Sequence, residues 1–235
     1  VSAAVEQGVS MQLRARPSGD LTAHIESKGY DPFEIDLSKL KPVSSERNTS
    51  AALVRGVVAG LAEKGLPIAG CDALVTSTLP DGGGMSSSAA FELALAHGLV
   101  ALFGPLPNGC TLSHTEFVNI AVNAEREYCD KPCGLQDQTA IEYGGICDMD
   151  FSNLMVPTVD RIDFDFEDQG YRICLVDTRT DHSKYTGDFN QLGEDMKTVA
   201  AYFGEDVLER VPPERIFMQP ISSRSAEAGG GKCPA

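Results

Sequence analysis

Residues 79–92, "LPDGGGMSSSAAFE", place three glycines and three serines directly in front of an apolar, helix-forming run. Glycine admits positive φ and carries no Cβ, so Gly82, Gly83 and Gly84 can turn backbone N–H groups towards a closely approaching ligand. Met85, Ser86, Ser87 and Ser88 then fall at a helix start. Free N–H groups and the positive end of the helix dipole attract anions there, and serine hydroxyls can add hydrogen bonds or a metal contact. On the residues alone three readings stay open: a phosphate cradle, a structural turn and a flexible linker, of which the buried helix behind the loop favours the linker least. The loop differs from two familiar phosphate binders. No lysine occurs between residues 65 and 130, which excludes a Walker A loop, and the order of elements does not fit a Rossmann G-x-G-x-x-G unit.

Composition limits the partners. The 235 residues are 42% hydrophobic with a net charge of -15. That suits one large globular domain or two small ones, and no stretch approaches the ~20 apolar residues of a membrane span. The first twenty residues lack the basic head and apolar middle of a secretory signal, so the expected location is the cytoplasm. So acidic a chain repels nucleic-acid backbones and anionic membranes, which leaves a small molecule as the expected partner. Any charged ligand then needs local neutralisation by a metal ion or a helix dipole. Seven cysteines, at 71, 110, 129, 133, 147, 174 and 233, are odd in number and scattered, and read as reduced thiols. Cys129 and Cys133 have neither a second pair nor a nearby histidine to make a zinc site.

The elements that must position the loop follow from periodicity. Residues 9–16, 21–27 and 33–38 read as strands of a small antiparallel meander. Asn48 is placed to cap a helix over 49–64, with Leu53, Val54, Val57, Val58 and Leu61 on one stripe and Gly65 as its stop. A strand over 71–79 delivers the chain to the glycines, and 87–103, apolar almost all round, reads as a buried helix. Ser113 and Glu116 form a capping-box signature for a helix over 114–129, whose last turn carries Glu125 and Glu127. A glycine turn, a short helix and a glycine stop occupy 133–145, and "ICDMDF" follows as a strand. Beyond about 155 the alternation in "RIDFDF", a buried strand over 171–178 and a helix through Leu192, Met196, Val199, Ala200 and Phe203 suggest a second domain. Residues 220–235 read as disordered.

Pro80, Gly82, Gly84, Met85, Ser86, Ser87, Ser88 and Ala89 together resemble the second signature of the GHMP small-molecule kinases, P-x-G-x-G-L-S-S-S-A, with methionine for leucine. "AEREYCDKPCGLQDQ" at 124–138 resembles the galactokinase stretch in which A-E-x-E-aromatic leads to C-G-x-M-D-Q; Cys133, Gly134, Asp137 and Gln138 match, and Gln136 replaces methionine. The resemblance implies an α+β fold: residues 1–155 as an N-terminal, ATP-binding domain like the second domain of ribosomal protein S5, and 156–235 as part of a ferredoxin-like C-terminal domain. It implies ATP phosphates over Gly82 to Ser88, Mg²⁺ held by Ser88 and Glu125, and Asp137 as the base facing a sugar hydroxyl. Gly134, Asp137 and Phe189 fall on the sugar side, Phe189 in "TGDFNQL", where the family carries a sugar-contacting tyrosine. Cys133 reads as a packing residue beside the site, and His182 and Lys184 as a solvated loop.

The pattern also departs from the family. The signature rich in arginine, glutamate, histidine and aspartate that opens galactokinases is absent, as is the late G-x-G-x-G-G. The expectation is therefore a galactokinase-like sugar kinase truncated at both ends, weak or inactive in this form, using ATP and Mg²⁺ and existing as monomer or homodimer. Two alternatives keep the fold: a sugar- and ATP-sensing regulator, and a GHMP kinase for another sugar.

Overall fold

The computed structural model describes residues 1–80, 84–153, 156–176 and 186–217. They belong to two compact units, Val1–Thr186 and Gly187–Ala235.

The first unit is built on a four-stranded sheet of β2 (Val9–Ala15), β3 (Thr22–Ser27), β4 (Phe33–Asp36) and β5 (Cys71–Ser77). Its order is β2-β5-β3-β4, with β5 antiparallel to β2 and parallel to β3. The expected meander is thus corrected: β5 inserts between the first two strands. A parallel neighbour requires a crossover rather than a hairpin. Helix α1 (Ser50–Glu63), lying between β4 and β5 in the chain, supplies it. Alternate residues point one way from the strands, so Ala23, Ile25, Ile35, Ala73 and Val75 join one core with Val54, Val57 and Leu61 of α1 and Leu93, Leu95 and Ala96 of α2 (Ser87–Phe103). Each of the larger side chains contributes about 1.5–3 kcal/mol on leaving water.

Helix α1 starts one residue later than expected. Thr49 is its N-cap residue, whereas Asn48 sits at φ 59 with its N–H on the Cys129 carbonyl, 3.0 Å away. At the other end Gly65, at φ 90, donates to the Ala62 carbonyl and stops the helix as the sequence suggests. The buried Arg55 ties this region together: its guanidinium donates to both Glu46 carboxylate oxygens, at 2.6 and 2.7 Å, and to the carbonyls of Asp36 and Lys39.

Helix α3 (His114–Asn123) opens with the expected capping box, Ser113 N–H to Glu116 Oε2 at 2.9 Å and Glu116 N–H to Ser113 Oγ at 3.3 Å. It does not run on as α-helix to 129. From Ala124 to Tyr128 it widens into a π-turn, closed by the Cys129 N–H on the Ala124 carbonyl. Helix α4 (Gln136–Tyr143) ends at Gly144, φ 65, and β6 (Ile146–Asp150) pairs antiparallel with both β1 (Ser2–Ala3) and β7 (Thr158–Ile162). Residues 171–176, expected as the start of a buried strand, form no strand and are exposed, with Ile173 and Leu175 more than half accessible. An apolar run becomes a strand only where a neighbour completes its ladder, and none does so among the described residues.

The second unit holds the rest of α5 (Thr186–Tyr202), stopped near Gly204 at φ 81, and α6 (Pro213–Phe217). Residues 220–235, together with His182 and Lys184, lie outside the described residues. No helix among the described residues is long and apolar enough to cross a membrane.

Candidate active site

The glycine-serine loop enters α2 through left-handed backbone: Gly84 has φ 65 and Ser86 φ 55. Ser86 is the N-cap residue and makes no side-chain cap bond, so the first N–H groups of α2 gain no acceptor from it. Gly82 and Gly83 lie outside the described residues. Behind the loop, Ser88 Oγ donates to Glu125 Oε1 at 2.5 Å, joining two side chains that are far apart in sequence. The π-turn makes this contact possible, because the extra residue in the turn re-aims Glu125 into the interior, where it is 2% exposed.

Further groups complete the cluster. Lys131 Nζ donates to Glu125 Oε1 at 2.7 Å and lies 3.2 Å from Ser88 Oγ. Gln138 Nε2 takes the other oxygen, Glu125 Oε2, at 3.2 Å, and reaches Glu92 Oε2 at 3.4 Å. Burial alone would raise the Glu125 carboxyl, but hydrogen bonds from Lys131, Ser88 and Cys133 outweigh it and hold the group below the ordinary carboxylate range. Burial likewise works against the Lys131 ammonium, and the Glu125 carboxylate overcomes it and raises the amine. Glu92 lacks such a partner: burial first, then the Glu125 charge, push its carboxyl up to about 9. It is a neutral acid at pH 7, and its Oε1, like Gln138 Oε1, has no hydrogen-bond partner among the described residues. The Cys133 thiol is pushed up to about 12 by burial and by the Glu125 carboxylate, and it packs beside Val118, Val122 and Leu135.

The loop divides two cavities. One, of about 640 Å³, is lined by Ser87 and Ser88 at one end and by Tyr30, Phe33, Leu53 and Phe91. The other, of about 630 Å³, holds Asp137 with Met85, Ser86, His97 and Glu142. Asp137 is exposed in the first turn of α4, while its neighbour Gln138 turns inward to Glu125. Successive residues of a helix point about 100° apart, which is enough for Asp137 to face the cavity while Gln138 faces the interior. Gly134 is exposed and lines neither cavity. Phe189 lies on α5, and its side chain is outside the described residues.

The donor set offers a hard divalent cation two converging oxygens, the Glu125 carboxylate and the Ser88 hydroxyl, while the positive end of α2 beside them favours an anion. Lys131 and Glu92 did not emerge from the sequence: Lys131 is an isolated lysine in a loop, and Glu92 a single acid in an apolar helix. The cluster of the buried Glu142 carboxylate with the exposed His97 and His114, each at 2.8 Å, was likewise not visible, because its members come from three helices.

The GHMP kinases N-terminal domain model matches residues 49–145, the stretch that carries both the loop and the Glu125–Asp137 segment. The galactokinase of Streptomyces coelicolor is 34% identical over 200 residues, 84% of this chain and 49% of that protein. The galactokinase of Actinobacillus pleuropneumoniae is 30% identical over 193 residues, 78% of this chain and 46% of its own. The crystal structure of Lactococcus lactis galactokinase complexed with galactose superposes with a TM-score of 0.68 at 21% identity, over 92% of this chain and 55% of that one. The chain thus belongs to the GHMP kinase family and has its fold. Within the family it is galactokinase-like, and it spans about half the length of the curated relatives it matches.

Proposed function

We propose that the chain is the ATP-binding part of a sugar kinase that transfers the γ-phosphoryl group of ATP to a hydroxyl of galactose. The observation that carries this reading is the contact of Ser88 with Glu125 at the root of a loop whose other side faces Asp137. In this reading residues 1–155 form the nucleotide domain and 156–235 part of a second domain. The apolar cavity beside Phe33 and Phe91 takes the base, and the phosphates lie on the N–H groups at the start of α2, across Gly82 to Ser88. Ser88 and Glu125 hold Mg²⁺, which when bound neutralises charge on the phosphate oxygens. The sugar occupies the cavity with Asp137, whose carboxylate accepts the hydrogen of the attacking hydroxyl and orients its oxygen. Phosphoryl transfer needs little covalent help from the protein, so positioning and charge carry most of the effect.

The test is coupled ADP release over a panel of hexoses, with nucleotide binding measured separately. Galactose-dependent ADP release, weak from this half-length chain and stronger from a chain extended upstream, is the expected outcome, with Asp137→Ala lowering it by on the order of a hundredfold or more in the extended chain while ATP binding is retained. ATP binding with no sugar-dependent release from either chain would instead favour a sensor built on the same fold.

A further inference from the structure

Two polar groups meet at one carboxylate oxygen. Glu125 Oε1 accepts from Ser88 Oγ at 2.5 Å and from Lys131 Nζ at 2.7 Å, and the hydroxyl and ammonium are 3.2 Å apart. The lysine is held there by the backbone more than by its own stem. The Lys131 N–H donates to the Glu125 carbonyl at 3.0 Å, so the chain doubles back over the π-turn. Asp130, between them, adopts φ 60, and Arg47 fixes its carboxylate at 2.9 Å. A second bond, from the Asn48 N–H to the Cys129 carbonyl at 3.0 Å, anchors the same return to the start of α1. The ammonium is therefore delivered to Glu125 by a defined turn.

Its charge lies where the proposed metal donors converge. A divalent cation on Glu125 Oε1 and Ser88 Oγ would stand within a few ångströms of the ammonium, and two cations that close repel strongly in a part-buried site. Both cannot hold that oxygen. The Lys131 side chain is 44% exposed against 3% for Glu125, so the lysine is the partner with room to leave. Its flexible stem swings a point charge that can follow an arriving phosphate.

We propose that Lys131 is a resident counter-ion that competes with the divalent cation for Glu125 and Ser88, so that the bare ion binds weakly and the metal enters together with nucleotide phosphate. The inference rests on the metal role assigned above to Glu125 and Ser88. Lys131 is thus a positioning residue, acting through Glu125.

The test measures Mn²⁺ binding to the nucleotide-free chain from the electron paramagnetic resonance signal of the free ion, with parallel titrations in the presence of ADP. Lys131→Met removes the ammonium. Lys131→Gln removes only its charge and keeps an N–H donor for Glu125, so it preserves the fold where the methionine variant does not; melting curves check both. The expected result is at least a tenfold gain in Mn²⁺ affinity without nucleotide in the Lys131 variants, abolished when Glu125→Gln is added, and a much smaller change with ADP present. Unchanged or weaker Mn²⁺ binding in the Lys131 variants overturns the inference. If Glu125→Gln alone still lowers Mn²⁺ binding in the presence of ADP, the metal role of Glu125 survives that failure. If Glu125→Gln leaves Mn²⁺ binding untouched with and without ADP, the metal role and the inference fall together.

Discussion

Glu92 shows how much a single residue can depend on its surroundings. It sits fully buried in α2, beside the ionised Glu125, and keeps its proton up to about 9. In the unfolded chain the same carboxyl ionises near 4.5. Between those values the folded state binds more protons than the unfolded one, so stability is greatest at the acid end of that window and falls as pH rises through it. At 1.36 kcal/mol per unit of pKa, the loss between pH 5 and pH 8 is on the order of 4 kcal/mol as an upper bound. Glu92→Gln removes the titration, so its denaturation midpoint should hold steady over that range while that of the unaltered chain declines; parallel slopes in urea melts at pH 5 and pH 8 would rule this out. Ser88, Glu125 and Asp137 were legible in the sequence because motif spacing marks them. Glu92 and Lys131 were not, because a lone acid among apolar residues and a lone lysine after a turn acquire meaning only from what folds against them.

At the scale of elements, the placement of Glu125 depends on how closely α1 approaches the π-turn. Gly56 allows that approach: a Cβ there would lie 2.7 Å from both Cα and Cβ of Ala124, the residue next to Glu125. Backbone cannot yield as a flexible side chain does, so Gly56→Ala must push the π-turn away from α1. The expected cost is about 1–3 kcal/mol in thermal or urea unfolding. It should come with weakened Mn²⁺–ADP binding, because Glu125 shifts relative to Ser88; normal stability and normal metal binding would contradict this account of the contact. Helix α2 was readable to its ends, since its apolar run and flanking serines mark both burial and start. The π-turn was not, because residues 114–129 keep a periodicity that suits an ordinary helix and the widening is imposed by packing. The insertion of β5 between β2 and β3 was equally hidden, since strand alternation fixes which face is buried but not which strand is the neighbour.

For the molecule as a whole, charge is the property most plainly written in the sequence and the one a nucleotide meets first. The chain carries 34 acidic against 19 basic side chains, for a net charge of -15. Its long-range field repels an anionic nucleotide, whereas the attractive groups, the N-terminus of α2 and the Lys131 ammonium, act over only a few ångströms. These two ranges respond differently to salt. At about 0.01 M ionic strength the screening length is roughly 30 Å and the approaching nucleotide feels the whole acidic surface; at about 0.15 M it is roughly 8 Å and only the site remains in view. The association rate constant of a fluorescent ATP analogue, followed by stopped flow, should therefore rise a few-fold across that range, the reverse of a basic nucleotide binder. The dissociation rate constant should change much less, because part-buried contacts are weakly screened. A fall in the association rate with added salt would mean that a local positive field, rather than the net charge, governs the encounter.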